Sequence, residues 1–140
     1  MCAGALVAAT LLAQPVVPAP AALPAQGLVV VAGASGQTGR RIVAAALDAG
    51  YAVRGLTSDP ERARTELGPA LFERAQWRRV DVRDAAALRE ALQGARFAIS
   101  AIGARVFEGP QSPEFIDYAG NVNLIEAARA AGVQRFVMIS

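Results

Sequence analysis

Histidine and lysine are absent from this chain of 140 residues, and cysteine occurs once, at Cys2. All 14 basic residues are therefore arginines. Without lysine there is no amine for a Schiff base, and without histidine there is neither an imidazole general base nor a His-containing metal cluster. A lone cysteine forms no internal disulfide and has no partner at metal-ligand spacing, so no metal site is expected. Charge is sparse as well, at 19% of residues with a net of +2, and the arginines stand singly or in pairs. That pattern excludes a nucleic-acid-binding face. What remains is 54% apolar, enough for one core in a chain too short for two ordinary domains.

The first 27 residues carry no charged side chain, and Pro15, Pro18, Pro20 and Pro24 are spaced among alanines. No packed element is expected after Pro15. Residues 3 to 13 have the length of a signal-peptide apolar region, and Leu23-Pro24-Ala25 is placed to precede a cleavage point. They are too short for a transmembrane segment. Met1-Cys2-Ala3-Gly4 supplies no positive n-region, so two readings stand: a disordered leader, or an export or organelle leader. The corresponding locations are cytoplasmic or organelle-soluble, or exported if residues 1–25 act as a signal.

From residue 28 onward strand-like and helix-like runs alternate over short connections, the arrangement of a parallel sheet covered by crossover helices. Leu28-Val29-Val30-Val31-Ala32 is uncharged and β-branched, as in a central strand buried on both faces. The pattern predicts strands over 28–33, 52–57, 76–82, 97–102 and 135–140. Arg78 and Arg79 mark the third as an edge or near-edge strand. Helices are predicted over 37–49, from Ser58 or Asp59 to about Gly68, from an Asp84 cap to Gln93, and from Ser112 to Ala131, with 104–111 a loop. Pro60 falls in the first turn of the second helix, and Glu61 is placed for a capping box there. The expected fold is α/β: a Rossmann-like doubly wound parallel sheet in the order 3-2-1-4-5. Ser140 falls at the end of the fifth strand. The expectation is a fragment of a longer chain; the alternative is a short complete protein whose edge strand leaves Phe136, Val137 and Ile139 poorly covered.

The chemistry lies in Gly33-Ala34-Ser35-Gly36-Gln37-Thr38-Gly39, a three-glycine turn between the first strand and the first helix. Helix-start N–H groups lack intrahelical partners and the dipole adds partial positive charge, so a nucleotide's phosphates fit there. The spacing is Gly-x-x-Gly-x-x-Gly, and its strand-turn-helix context is the one a dinucleotide fingerprint requires. Arg40 and Arg41 in the first turns oppose the macrodipole at a cost of a few tenths of a kcal/mol, a sign that a bound phosphate reverses. Arg40 either meets that phosphate or faces solvent; Arg41 is read as solvent-facing. The second strand ends Leu56-Thr57-Ser58 with no carboxylate to repel a ribose 2′-phosphate, which favours NADP over NAD. Asp59 before Pro60 is read as a helix cap rather than a ribose contact.

The run from Val29 to Val43 resembles the opening of atypical short-chain dehydrogenases of the NmrA-like, NAD(P)H-binding group. Four further blocks follow in the same order: Tyr51 to Leu56 with Asp59 to Ala63, Val80 to Asp84, Ile99 to Gly103, and Asp117 to Leu124 running on to Ala131 through Phe136. The resemblance covers residues 28–140. It implies that Gly33, Ser35, Gly36, Gln37, Thr38 and Gly39 meet the pyrophosphate, Asp81 and Val82 the adenine, and Ala101, Ile102 and Gly103 the nicotinamide ribose. Asn123 is expected to buttress backbone. Where relatives carry arginine after the second strand this chain has Ser58, leaving Arg62 or Arg40 to compensate at a 2′-phosphate. The Tyr-x-x-x-Lys pair of reductive members has no counterpart within the chain, and neither Tyr118 nor Tyr51 substitutes. Catalytic residues are therefore unassigned. The implied function is NAD(P) binding as the cofactor-binding part of an oxidoreductase or epimerase-like protein, acting on an unknown small-molecule substrate. The alternative is a non-catalytic dinucleotide-sensing regulator or assembly factor with a protein partner.

Overall fold

The computed structural model describes residues 25–103 and 112–139. The apolar leader and the predicted 104–111 loop lie outside them, apart from residues 25–27 of the leader. Strand β1, Leu28–Ala32, is buried along its whole length and stands at the centre of a five-stranded sheet. Its neighbours are β2, Ala52–Thr57, and β4, Phe97–Ser100; β3, Gln76–Arg79, and β5, Arg135–Met138, form the edges. All four pairings are parallel, and the order β3-β2-β1-β4-β5 is the expected one.

Because side chains alternate across a strand, β1 feeds two cores. Leu28, Val30 and Ala32 pack with Leu88, Leu92, Leu124 and Ala127 on one face. Val29 and Val31 pack with Val43, Leu47 and Val53 on the other. The first face is covered by α4, Ala85–Ala91, and α5, Gly120–Ala130. The second lies under α1, Gln37–Asp48, with Leu67 of α2, Pro60–Leu67, and Leu71 of α3, Pro69–Phe72, packed beside it. The result is a three-layer α/β/α arrangement. Arg54 joins the layers by donating from Nη1 to the carbonyls of Ala91 and Gln93 at 2.8 and 2.9 Å, a cation against the end of α4 where the dipole favours one.

The structure departs from the sequence pattern in particular places. Strands β3, β4 and β5 are four residues each, shorter than predicted, although a single backbone hydrogen bond continues past each of them, from Val80 to Thr57, from Ala101 to Ala32 and from Ile139 to Ser100. Asp59 caps α2 by accepting from the Arg62 N–H at 3.0 Å, so the third helical position is Arg62 and Glu61 forms no capping box. Gly68 then opens a further short helix, α3, whose Phe72 stacks on Trp77 at 4.8 Å. The long helix predicted from Ser112 begins instead as a π-helical stretch, Glu114–Ala119. Asn121 donates from its side-chain amide to the Asp117 carbonyl at 2.6 Å where that stretch passes into α5. On the edge strand β5, Phe136 packs into the first core while Val137 and Met138, and Ile139 just after the strand, are exposed.

Candidate functional site

At the carboxyl end of β1 the chain turns at Gly33, whose φ of +73° is the left-handed region that favours glycine. A side chain there would also meet the Ala101 carbonyl oxygen at 2.6 Å. The Gly36 N–H donates to the Gly33 carbonyl at 2.9 Å, closing the turn, and α1 starts at once. Its N-cap is Gly36, which provides no side-chain acceptor, and its first turn holds no acidic residue. The first N–H groups of this helix therefore face outward with the positive end of the dipole behind them. Gly39 is fully packed: a Cβ there would lie 2.1 Å from the Gly33 oxygen, so this glycine lets the helix sit down on the turn.

An open cleft of about 420 Å³ runs along this carboxyl edge, lined at its centre by Gly33, Ser35 and Gly36. Toward β2 and β3 its walls are polar: Thr57, Ser58, Asp59, Arg62 and Asp81, with Leu56, Val80 and Val82. Ser35 and the buried Thr57 share a hydroxyl–hydroxyl bond of 2.7 Å, and the Asp59 N–H donates to Thr57 Oγ1 at 3.0 Å. This ties the glycine turn to the end of β2. Asp81 is gripped by Arg83 through backbone and guanidinium, and those hydrogen bonds hold its carboxyl below the usual range against the opposing effect of partial burial. Toward β4 the walls are small and apolar: Ala101, Ile102, Gly103 and, from the π-helical stretch, Ile116.

Ten of the residues singled out in the sequence thus meet at one cleft: Gly33, Ser35, Gly36, Thr57, Ser58, Asp81, Val82, Ala101, Ile102 and Gly103. Gln37, Thr38, Gly39 and Arg40 do not line it. Gln37 and Thr38 are exposed at the helix start, beside the outward N–H groups. Arg40 is turned away, ion-paired with Glu66 of α2, so its cation braces two helices rather than facing the cleft. Asn123 buttresses as expected, donating to the Val82 carbonyl at 3.1 Å. Asp59 is the cap it was read to be, although it also borders the cleft. Tyr51 packs edge-on against Phe97 at 6.0 Å, beside the amino ends of the strands, and Tyr118 is 74% exposed outside the cleft. The cleft residue with no sequence signal is Ile116: only the path of the chain after β4 brings it there.

Among the described residues no group of His, Cys, Asp and Glu is placed to hold a metal ion, and no helix is long and apolar enough to cross a membrane. The features present suit a dinucleotide. The cleft straddles the carboxyl end of β1, with the glycine turn and the Gly36 cap of α1 in the middle, Arg62 and acceptors on one side and small residues on the other. Comparison with known proteins agrees. The NAD(P)H-binding family model matches residues 33–140. An uncharacterized chloroplastic protein of Arabidopsis thaliana is 39% identical over 116 residues, covering 80% of this chain and 40% of that protein. The photosystem II assembly factor Ycf39 of Cyanophora paradoxa is 34% identical over 114 residues, covering 80% of this chain and 33% of the factor. The chain thus spans well under half the length of either relative. Among solved structures, an NADPH-dependent quinone oxidoreductase from Escherichia coli, complexed with NADPH, is 26% identical with a TM-score of 0.59, covering 79% of this chain and 35% of that one. A short-chain dehydrogenase/reductase superfamily protein from Agrobacterium tumefaciens with bound NAD is 29% identical with a TM-score of 0.62, covering 79% and 31%. This chain belongs to the NAD(P)H-binding family, in keeping with its resemblance to the NmrA-like atypical short-chain dehydrogenases, and it has their Rossmann-like fold.

Proposed function

We propose that this member of the NAD(P)H-binding family holds a dinucleotide across the carboxyl edge of its sheet, preferring NADP(H) to NAD(H), as the cofactor-binding part of an oxidoreductase or epimerase-like protein. The observation that carries the reading is the uncapped start of α1 opening into the cleft beside Gly33 and Gly36. In this arrangement the pyrophosphate lies on the first N–H groups of α1, and Ser35, held by Thr57, offers a hydroxyl to the same phosphates. The adenosine half lies toward β2 and β3, where Arg62 and Asp81 supply a cation and an acceptor. The nicotinamide half lies against Ala101, Ile102 and Gly103.

Preference for a 2′-phosphate is supported by Ser58 at the end of β2, where no carboxylate repels it, and by Arg62 on the cleft wall. Arg40 is committed to Glu66, which leaves Arg62 as the compensating cation. When bound, the cofactor supplies hydride transfer; the chain's own residues bind, orient and shield it. Ala101, Ile102, Gly103 and Ile116 carry no titratable proton, so on this wall of the cleft they shape and shield the nicotinamide half rather than exchange protons with it.

A second reading is a non-catalytic dinucleotide sensor or assembly factor with a protein partner. The similarity to photosystem II assembly factors supports it. The chloroplastic names of two relatives and the apolar leader support an organelle location.

Thermal unfolding with NADPH and NADH, on the wild-type chain and on Arg62→Ala, tests the binding claim. A ligand at a hundred times its dissociation constant stabilises by about 2.7 kcal/mol. Stabilisation by NADPH at lower concentration than NADH, with the difference lost in Arg62→Ala, is the expected result. No shift with either dinucleotide overturns the binding site, and equal shifts overturn the preference.

A further inference from the structure

The two faces of the sheet differ over β4 and β5. A parallel sheet needs cover on both. On the first face α5 supplies it, and Ala98 and Phe136 join the core beneath. On the second face no helix beyond α1, among the described residues, lies over Ile99 and Val137, and Val137 is 44% exposed. This leaves an apolar groove of about 420 Å³, with Ile42 and Ala46 of α1 along one side and Phe97, Ile99 and Val137 of the strands beneath. The leader joins the domain at one end of it. Arg96 donates from Nη1 to the Gln26 carbonyl at 3.3 Å and lies 5.1 Å from the centre of the Phe97 ring. Across from Arg96 stands Gly50, where an added Cβ would lie 3.3 Å from Gln26 Oε1. Tyr51, next to Gly50, meets Phe97 edge-on, and both rings line the groove.

We propose that residues 3–13 of the leader dock along this groove and complete the second face of the sheet over β4 and β5. The chemistry matches, since that segment has no charged side chain to desolvate and only Thr10 carries a hydroxyl. The dimensions match as well. Strands of four residues run for about 13 Å, and eleven residues wound as a helix cover about 16 Å. The connection over residues 14–25, with its four prolines, reaches up to about 37 Å in an extended polyproline path, ample to bring the segment back over the groove from Gln26. Being tethered at the mouth, the segment meets the groove at high effective concentration. Leader and domain then shield each other's apolar surface from water.

The test uses the full chain with a nitroxide spin label on Cys2, its sole cysteine, which adjoins the docked segment. In nuclear magnetic resonance spectra the amide signals of Phe97, Ile99 and Val137 are expected to lose intensity, while those of Val122 and Ile125, exposed on α5 at the opposite face, keep theirs. Leu11→Asp places a charge in the segment without touching the folded domain and is expected to restore the groove signals. Val137→Asp is expected to restore them from the other side. No loss of intensity, a loss equal on both faces, or a loss that survives both substitutions overturns the proposal. Mixing spin-labelled chain with isotope-enriched chain that carries no label separates the tethered segment from a second copy. Groove signals that stay intact in the mixture support docking within one chain; their loss shows a neighbouring copy in the groove and overturns it.

Discussion

Helices α1 and α4 begin at the same carboxyl edge of the same sheet, and their first turns are built in opposite ways. At α4 the Asp84 carboxylate accepts from the N–H groups of Ala86 and Ala87 at 3.1 and 3.0 Å, so the helix fills its own donors with its own anion. Helix α2 does the same through Asp59. At α1 the capping position is Gly36, the first turn has no acid, and Arg40 and Arg41 add positive charge where the dipole already has it. A self-satisfied helix start is a structural joint; a bare one beside a cleft is a place for someone else's anion. Of the helices that follow β1, β2 and β3 at this edge, the latter two close their own starts and the first is left open.

The largest expected effect comes from making α1 resemble α4. Gly36 has an ordinary φ of −74°, and a Cβ there meets only the Gly33 oxygen, at 3.1 Å, so Gly36→Asp is sterically close to acceptable. The new carboxylate would take the donors of Thr38 and Gly39 and oppose a phosphate. Loss of two charge-assisted hydrogen bonds amounts to about 3 kcal/mol, a hundredfold or more in the dissociation constant of NADPH, while thermal stability without ligand is kept or raised. Gly36→Ser, a neutral cap, should lose less; if both variants bind as wild type does, the outward donors of α1 are not the phosphate site.

The converse substitution opens α4. Asp84→Ala should cost about 1 kcal/mol, several degrees in melting temperature for a domain of this size, with the dissociation constant of NADPH unchanged. An unchanged melting temperature, or an altered affinity, would break the contrast between joint and site.

The smallest effect concerns the third aspartate of this edge, Asp81, which caps nothing and is held by Arg83. Its folded carboxyl titrates below its unfolded value of about 3.9, so its contribution to stability is present above that pH and fades as pH falls through the lower folded value. Both side chains are about half exposed, so screening keeps the contribution small. Urea unfolding from pH 5 to pH 2.5 should fall slightly more steeply for wild type than for Asp81→Asn, and 1 M salt should narrow the gap.

Much of this was legible in the chain itself. β2 runs over the predicted residues, the strand order follows from alternating elements joined by short connections, and Asp84 caps the helix after β3 as expected. What failed to show did so for local reasons. Strands β3, β4 and β5 look longer in sequence than they are, since hydrophobicity persists past the last paired residue. The π-helical stretch keeps helical composition and differs only in winding. α3 starts inside Gly68-Pro69, with Gly68 as its cap and Pro69 as its first residue, a dipeptide that reads as a stop.

The sequence by itself determined the Rossmann-like sheet, the glycine turn and the bare start of α1, because each depends on residues adjacent in the chain: a β-branched run, glycines at turn positions and no acid at the cap. Tertiary structure alone decided which side chains face the cleft. Arg40 stands next to the turn yet pairs with Glu66 across 26 positions, Arg62 borders the cleft from the following helix, Ile116 arrives from beyond β4, and Asp81 points where Arg83 and Asn123 hold its turn. Side chains so far apart in sequence meet only when the sheet and helices have packed, and no spacing rule along the chain encodes which partner a long arginine finds there.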